Sequence, residues 1–203
     1  MTLALQLASH SEAQTQQLGA SLGALLEPGS VVILSGDLGA GKTQFTKGIA
    51  RALGIVEPIT SPTFNILLQH EVGQSAVLGR SQESGREQGG ASSVPSHPPA
   101  ADTPVSLYHF DLYRLESEGE LDDIDYFGLL EQDAASVVEW GDKFPGALPV
   151  DYLQVDFELQ ANDARILHGT AHGSQSERLL AAWSAAACYN DEAAHAQVLE
   201  APL

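Results

Sequence analysis

The sequence predicts an α/β protein, a P-loop NTPase-like three-layer sandwich with a mixed, mostly parallel sheet flanked by helices. Three observations lead there. Gly36-Asp37-Leu38-Gly39-Ala40-Gly41-Lys42-Thr43 is a complete G-x-x-x-x-G-K-T phosphate-binding loop. The apolar run Val31-Val32-Ile33-Leu34 before it reads as a short buried strand, and Phe45, Ile49 and Leu53 after it recur at helical spacing until Gly54 stops them. Two further apolar runs end in a carboxylate, at Asp111 and at Glu139, as strands do when they deliver side chains to the crevice of an open α/β sheet.

Ser9-His10-Ser11-Glu12 fits a capping box that opens a first helix, with Leu18, Leu22 and Leu25 as its apolar stripe and Pro28-Gly29 as its end. Beyond the phosphate-loop helix, Thr60-Ser61-Pro62-Thr63 is a polar turn, and Phe64 to Leu68 reads as a second strand. Residues 73–104 are rich in Gly, Ser, Pro, Gln and Glu, hold no aromatic residue, and offer little to bury, so they read as a disordered surface insertion. The strands on either side of it are expected to pair as neighbours. Val105 to Phe110 is a strand ending at Asp111, and Ser117-x-x-Glu120 is a second capping box followed by Leu121, Ile124, Phe127 and Leu130 at helical spacing. Ser136-Val137-Val138 is a short buried strand before Glu139-Trp140. Leu153, Val155, Phe157 and Leu159 alternate with mostly polar residues, as in a strand with one wetter face, and Arg165 to His168 is a last strand. The Ala-rich stretch from Ser176 to Leu203 reads as helical, with Leu179, Leu180, Trp183 and Ala187 on one stripe. The domain reading is a phosphate-loop domain over residues 1–170, interrupted by the insertion 73–104, and an Ala-rich helical extension over 171–203.

Composition narrows the function. A chain of 203 residues supports one well-buried domain. No apolar run reaches the ~20 residues that span a bilayer. Met1 to Gln6 shows neither a basic segment nor a long apolar one, and Cys188 stands alone, which together lead to the expectation of a cytoplasmic protein with no membrane association. The 27 acidic residues against nine Lys and Arg give a net charge of −18, which repels nucleic-acid phosphates and argues for little direct nucleic-acid binding. His168 and His172 flank a Gly-Thr-Ala segment and read as surface histidines.

In the phosphate loop, the glycines let successive N–H groups face one phosphate, and the helix N-terminus adds its positive dipole end. Lys42 reaches β- and γ-phosphates as a point charge, and the Thr43 hydroxyl is of the kind that ligates Mg²⁺. Such a loop works with a second carboxylate at the end of a neighbouring buried strand, and Asp111 and Glu139 both stand in that position.

These marks, taken in order, resemble the TsaE (YjeE) family of small bacterial ATPases in tRNA threonylcarbamoyladenosine synthesis. The likeness runs from about Ser9 to Arg165. It rests on the loop with Phe45-Thr46-Lys47-Gly48, on Leu53-Gly54-Ile55, on Ser61-Pro62-Thr63-Phe64, on Tyr108-His109-Phe110-Asp111-Leu112-Tyr113-Arg114-Leu115 and on Val138-Glu139-Trp140. The resemblance implies an Mg²⁺-dependent ATPase that serves the enzyme transferring threonylcarbamoyl to adenosine 37 of tRNA, with TsaD- and TsaB-type subunits as partners. It implies that Asp37, Leu38, Gly39, Ala40, Gly41, Lys42, Thr43 and Gln44 bind ATP, that Thr43 and Glu139 ligate Mg²⁺, and that Lys42 and Asp111 act at the γ-phosphate, Asp111 by orienting water. Thr63 is implied as a switch-like residue sensing that phosphate, and Glu12 and Arg165 as flanking the adenine. Arg114 and Trp140 are family marks without an assigned role, an ion pair and a core aromatic being the plain alternatives. Gln44 stands where the family commonly has a second Thr. A small-molecule kinase would want an Arg-rich lid, whereas the insertion carries only Arg80 and Arg86. A GTP switch acting as a binding module would want an N-K-x-D guanine reader, which the sequence lacks.

Overall fold

The computed structural model describes residues 3–72, 105–190 and 197–200; the insertion read at 73–104 lies outside them. One eight-stranded sheet runs through the molecule in the order β3-β4-β5-β2-β6-β7-β1-β8. Its parallel core is β4 (Ser106–Asp111), β5 (Ala134–Glu139), β2 (Val31–Gly36) and β6 (Tyr152–Leu159). Antiparallel strands extend it on both sides: β3 (Leu67–His70) on β4, then β7 (Arg165–His172), β1 (Leu3–Ser9) and β8 (Gln197–Glu200) beyond β6. The α/β class and the mixed sheet with its parallel core are those the sequence predicts. The expected pairing across the insertion is also present, with Leu67 opposite Phe110 and His70 opposite Leu107.

In β2, β4 and β5 both faces are buried, which is why these strands read as continuous apolar runs, whereas β6 at the border of the parallel core alternates. Val32, Leu34 and Val137 belong to one apolar cluster, with Leu18 and Leu22 of α1 (Glu12–Gly23) and Phe45 and Ile49 of α2 (Lys42–Ala52). Val31, Ile33 and Val138 belong to the other, with Leu121 of α3 (Glu120–Asp123), Tyr126 of α4 (Tyr126–Leu130), and Phe144 and Ala147 near two 3₁₀ turns. Helices α1 and α2 approach backbone to backbone. A Cβ on Gly19 would lie 2.1 Å from the Phe45 carbonyl oxygen, and one on Gly48 would lie 2.0 Å from that of Gln16. Only glycine permits that spacing, which sets α1 against the phosphate-loop helix.

Several local expectations are corrected. Strand β1 precedes the first helix, and its partners β7 and β8 lie far away in sequence. Ser9 is therefore the last residue of a strand, and the helix is capped by Ser11, whose Oγ accepts from the Gln14 N–H at 3.2 Å while Gln14 Oε1 accepts from the His10 N–H at 2.7 Å. Strand β3 begins three residues later than Phe64, because the Pro62 carbonyl accepts from the N–H groups of Asn65 and Ile66 and closes a turn there. The periodic stretch after Ser117 forms two short helices, divided at Asp125, whose φ is 52°. The last strand continues to His172, past the expected end at His168. Helix α5 (Ser174–Asn190) follows, and β8 is a strand within a stretch that reads as helical. Leu179, Leu180, Trp183 and Ala187 of α5 join the same cluster as α1 and α2. Trp183 packs edge-on against Phe45 at 5.8 Å and donates its indole N–H to Ser21 Oγ at 3.0 Å.

Candidate functional site

Parallel strands deliver their C-terminal ends to one edge of the sheet. Leu34 pairs with Glu139 and Asp111 pairs with Glu139, so Gly36, Glu139 and Asp111 end side by side. From Gly36 the chain turns through Asp37, Leu38, Gly39 and Ala40 into α2, with Gly41 at φ 110° capping the helix in a left-handed conformation that favours glycine. Gly36 itself has no room for a side chain, since a Cβ would lie 2.4 Å from the Phe157 carbonyl oxygen. Leu38 at the loop tip is 77% exposed, whereas Lys42, Asp111 and Glu139 are buried.

Thr43 and Glu139 come together across ninety-six residues of sequence: the Thr43 hydroxyl donates to Glu139 Oε1 at 2.9 Å and lies 3.2 Å from Oε2. Lys42 Nζ donates to the carbonyls of Gly36 at 2.6 Å and Asp37 at 2.9 Å, and lies 4.0 Å from the centre of the Trp140 ring. Burial pushes the Lys42 ammonium below the ordinary lysine range, and the carboxylates of Glu139, Asp111, Asp142 and Asp37 oppose that shift. Asp111 forms a second node. It accepts from the hydroxyls of Ser61, at 2.9 Å, and Thr63, and from the Tyr113 N–H at 3.1 Å. The turn at 60–63 is thus tied to the end of β4.

The residues expected near the base gather behind the loop. Gln44 donates to Glu12 Oε2 at 3.2 Å and accepts from Gln16 Nε2 at 2.8 Å. Arg165 is buried, donates from Nη1 to Thr15 Oγ1 at 3.0 Å, and lies against Gly41, where a Cβ would sit 3.4 Å from its Cδ. Trp140 is half-buried and packs against Tyr113 with ring centres 5.1 Å apart and planes tilted by 48°, on a backbone with φ 63°. Arg114 lies 4.1 Å over the Phe64 ring, and Phe64 is 81% exposed. Among the described residues Arg114 makes no ion pair, and Trp140, partly buried, packs against the apolar cluster of Val138 and Phe144.

Sequence reasoning assigned nothing to His109, Ser61, Thr15 or Tyr113. His109 is buried with Nε2 at 2.9 Å from Glu139 Oε1. The available signal was the spacing: His109 lies two residues before Asp111 on a strand and so shares its face. Among the described residues no group of three or more His, Cys, Asp or Glu forms a metal cage, and no helix is long and apolar enough to cross a membrane. A cleft of about 310 Å³ lined by Tyr113, Trp140, Asp142 and Lys143 adjoins the loop. A groove of about 470 Å³, lined by residues such as Gln14, Gln17, Ser21 and Arg51, includes none of the phosphate-loop residues.

The family model described as "Threonylcarbamoyl adenosine biosynthesis protein TsaE" matches residues 9–78 and 94–167. The tRNA threonylcarbamoyladenosine biosynthesis protein TsaE of Bacillus subtilis is 31% identical over 166 residues, covering 82% of this chain and 85% of its own. That of Treponema pallidum is 34% identical over 161 residues, covering 79% and 96%. That of Mycobacterium tuberculosis strain H37Rv is 38% identical over 159 residues, covering 75% and 78%. The crystal structure of Bacillus subtilis YdiB superposes with a TM-score of 0.64 at 26% identity, covering 91% of this chain and 97% of that one. With the phosphate loop, both strand-end carboxylates and the Ser-Pro-Thr-Phe turn all inside the matched residues, the chain belongs to the TsaE family.

Proposed function

We propose that this chain is an Mg²⁺-dependent ATPase subunit required for threonylcarbamoyl modification of adenosine 37 in tRNA, acting with a threonylcarbamoyltransferase of TsaD and TsaB type. The observation that carries the reading is the meeting of Thr43 with Glu139 beside a complete phosphate loop, with Asp111 on the adjacent strand. A hydroxyl and a carboxylate are hard oxygen donors, the pair suited to Mg²⁺ that keeps its other positions for phosphate and water. Their oxygens already converge, so the residues fit the ion. When bound, Mg²⁺ supplies charge neutralisation at the β- and γ-phosphates.

The chain's own groups do the rest. The loop N–H groups from Asp37 to Gln44 and the α2 N-terminus cradle the phosphates. Lys42 exchanges its carbonyl contacts for phosphate oxygens, where its charge opposes the negative charge of the transferring group. Asp111 orients the attacking water; the water oxygen bonds to the γ-phosphorus, the bond to the β,γ-bridging oxygen breaks, and ADP and phosphate leave. Thr63 and Ser61, both hydrogen-bonded to Asp111, connect the state of the γ-phosphate to the 60–63 turn. Glu12 and Arg165 flank the adenine side through Gln44 and Gly41. The acidic chain leaves the tRNA grip to its partners.

Titration calorimetry with ATP and GTP, with and without Mg²⁺, tests the nucleotide and ion. Tighter binding of GTP would remove the adenine assignment. A pull-down with transferase subunits of TsaD and TsaB type, with and without ATP and Mg²⁺, tests the assembly; nucleotide-independent absence of capture would remove the partner.

A further inference from the structure

His109 occupies the middle of β4 and is fully buried. An imidazole taken out of water needs a hydrogen-bond partner to offset its desolvation. That partner is Glu139, 2.9 Å from Nε2 to Oε1. The register accounts for the contact. His109 pairs with Val137 and Asp111 with Glu139 on parallel strands, so His109 and Glu139 are diagonal neighbours on one face of the sheet. An ionised carboxylate only accepts, so Nε2 carries the hydrogen and donates it. Nδ1 has no hydrogen-bond partner among the described residues, and the nearby His70 ring lies 6.4 Å away between centroids. The hydrogen bond His109 makes therefore goes to Glu139.

Glu139 is held from two sides, by Thr43 on α2 and by His109 on β4. The two contacts come from different elements and meet at the same oxygen, Oε1. We propose that His109 is a positioning residue for the cation: its Nε2–H fixes the Glu139 carboxylate in the orientation that meets Thr43, so that the pair is set before Mg²⁺ arrives with nucleotide. This rests on Thr43 and Glu139 being the cation-holding pair. Partners of this kind behind metal-binding side chains typically matter by about 10–100-fold in metal affinity.

The test compares three variants by calorimetry with ADP, in Mg²⁺ and in EDTA. His109→Leu keeps bulk and loses the donor; His109→Asn is polar and too short to reach Oε1; His109→Gln returns an N–H donor near the Nε2 position. For Leu and Asn, affinity in Mg²⁺ falls about 10–100-fold while affinity in EDTA stays within about twofold, and Gln recovers most of the loss. An imidazole that only fills space would change both affinities alike, and that result, or an unchanged Mg²⁺ dependence, overturns the proposal. Wild type binding ADP equally with and without Mg²⁺ would instead overturn the reading of Thr43 and Glu139 beneath it. Should the variants not fold, ¹⁵N spectra of the wild-type imidazoles decide. His109 carrying its proton on Nε2 upholds the proposal, and a neutral ring protonated only on Nδ1 overturns it.

Discussion

The parallel and antiparallel halves of the sheet use similar apolar residues in different order. In β2 and β5 almost every residue is buried, whereas β7 alternates strictly between buried and half-buried. Strands β2, β4 and β5 are covered on both faces and point the same way, so Gly36, Asp111 and Glu139 reach one edge together. Antiparallel strands send their ends in opposite directions. Their polar side chains pair locally, as His168 does with Glu158 at 3.2 Å, and among the described residues they form no group of three or more His, Cys, Asp or Glu. The first half concentrates chemistry, and the second, closed by α5, supplies core and places Arg165 behind the loop.

The strongest way to break this contrast is to remove the anchor of the antiparallel half. We propose that α5 belongs to the same folding unit as the phosphate loop, and Trp183→Ala should then cost about 3–5 kcal/mol of stability by denaturant unfolding. A loss below about 0.5 kcal/mol would make α5 an appendage, as an extension over 171–203 would be.

At the parallel edge, Lys42→Ala should weaken ATP binding at least about tenfold, since a charge-assisted contact is worth roughly 1.5–3 kcal/mol. Unchanged affinity in a folded variant would move the site away from the loop. Two carboxylates side by side should still differ. Glu139→Ala should raise the Mg²⁺ requirement, while Asp111→Ala should bind nucleotide nearly normally and hydrolyse it slowly in single-turnover measurements. Identical defects would dissolve that division of roles.

At the β3–β4 edge the strands flanking residues 73–104 are already paired. Replacing that segment with a short turn should therefore change stability by only ~1–2 kcal/mol and leave ATP hydrolysis intact. A large drop in melting temperature would show that the segment is structural.

The smallest expected effect is a pH slope at the same edge. Burial holds the His70 imidazole below its ordinary value of 6.5, with Glu57 opposing. Below pH 6.5 the unfolded chain then binds more protons than the folded one, so stability falls as pH drops from 6.5 towards the folded value. The slope is at most about 1.4 kcal/mol per pH unit for one group. It should be reduced in His70→Phe, as read from denaturant midpoints between pH 7 and 5; equal slopes would exclude His70 as the source.

The sequence by itself determined the parts that are local. The phosphate loop, the buried strand before it and the helix after it are all contiguous, so propensity, spacing and motif agree within the twenty-two residues from Val31 to Ala52. Asp111 and Glu139 were legible as strand-end carboxylates for the same reason. Tertiary structure decided whatever depends on a distant partner. Strand β1 exists through β7 and β8, the Ser9 hydroxyl faces Thr15 where a cap was expected, and a helical-looking tail includes the strand β8, which pairs with the edge of β1. It also decided which side chains face each other across the sheet. The register that makes His109 a diagonal neighbour of Glu139, and the turn that brings Ser61 and Thr63 to Asp111, arise from pairings between segments tens of residues apart. No local periodicity encodes such pairings, because register is settled by the burial of whole strand faces rather than by any one residue.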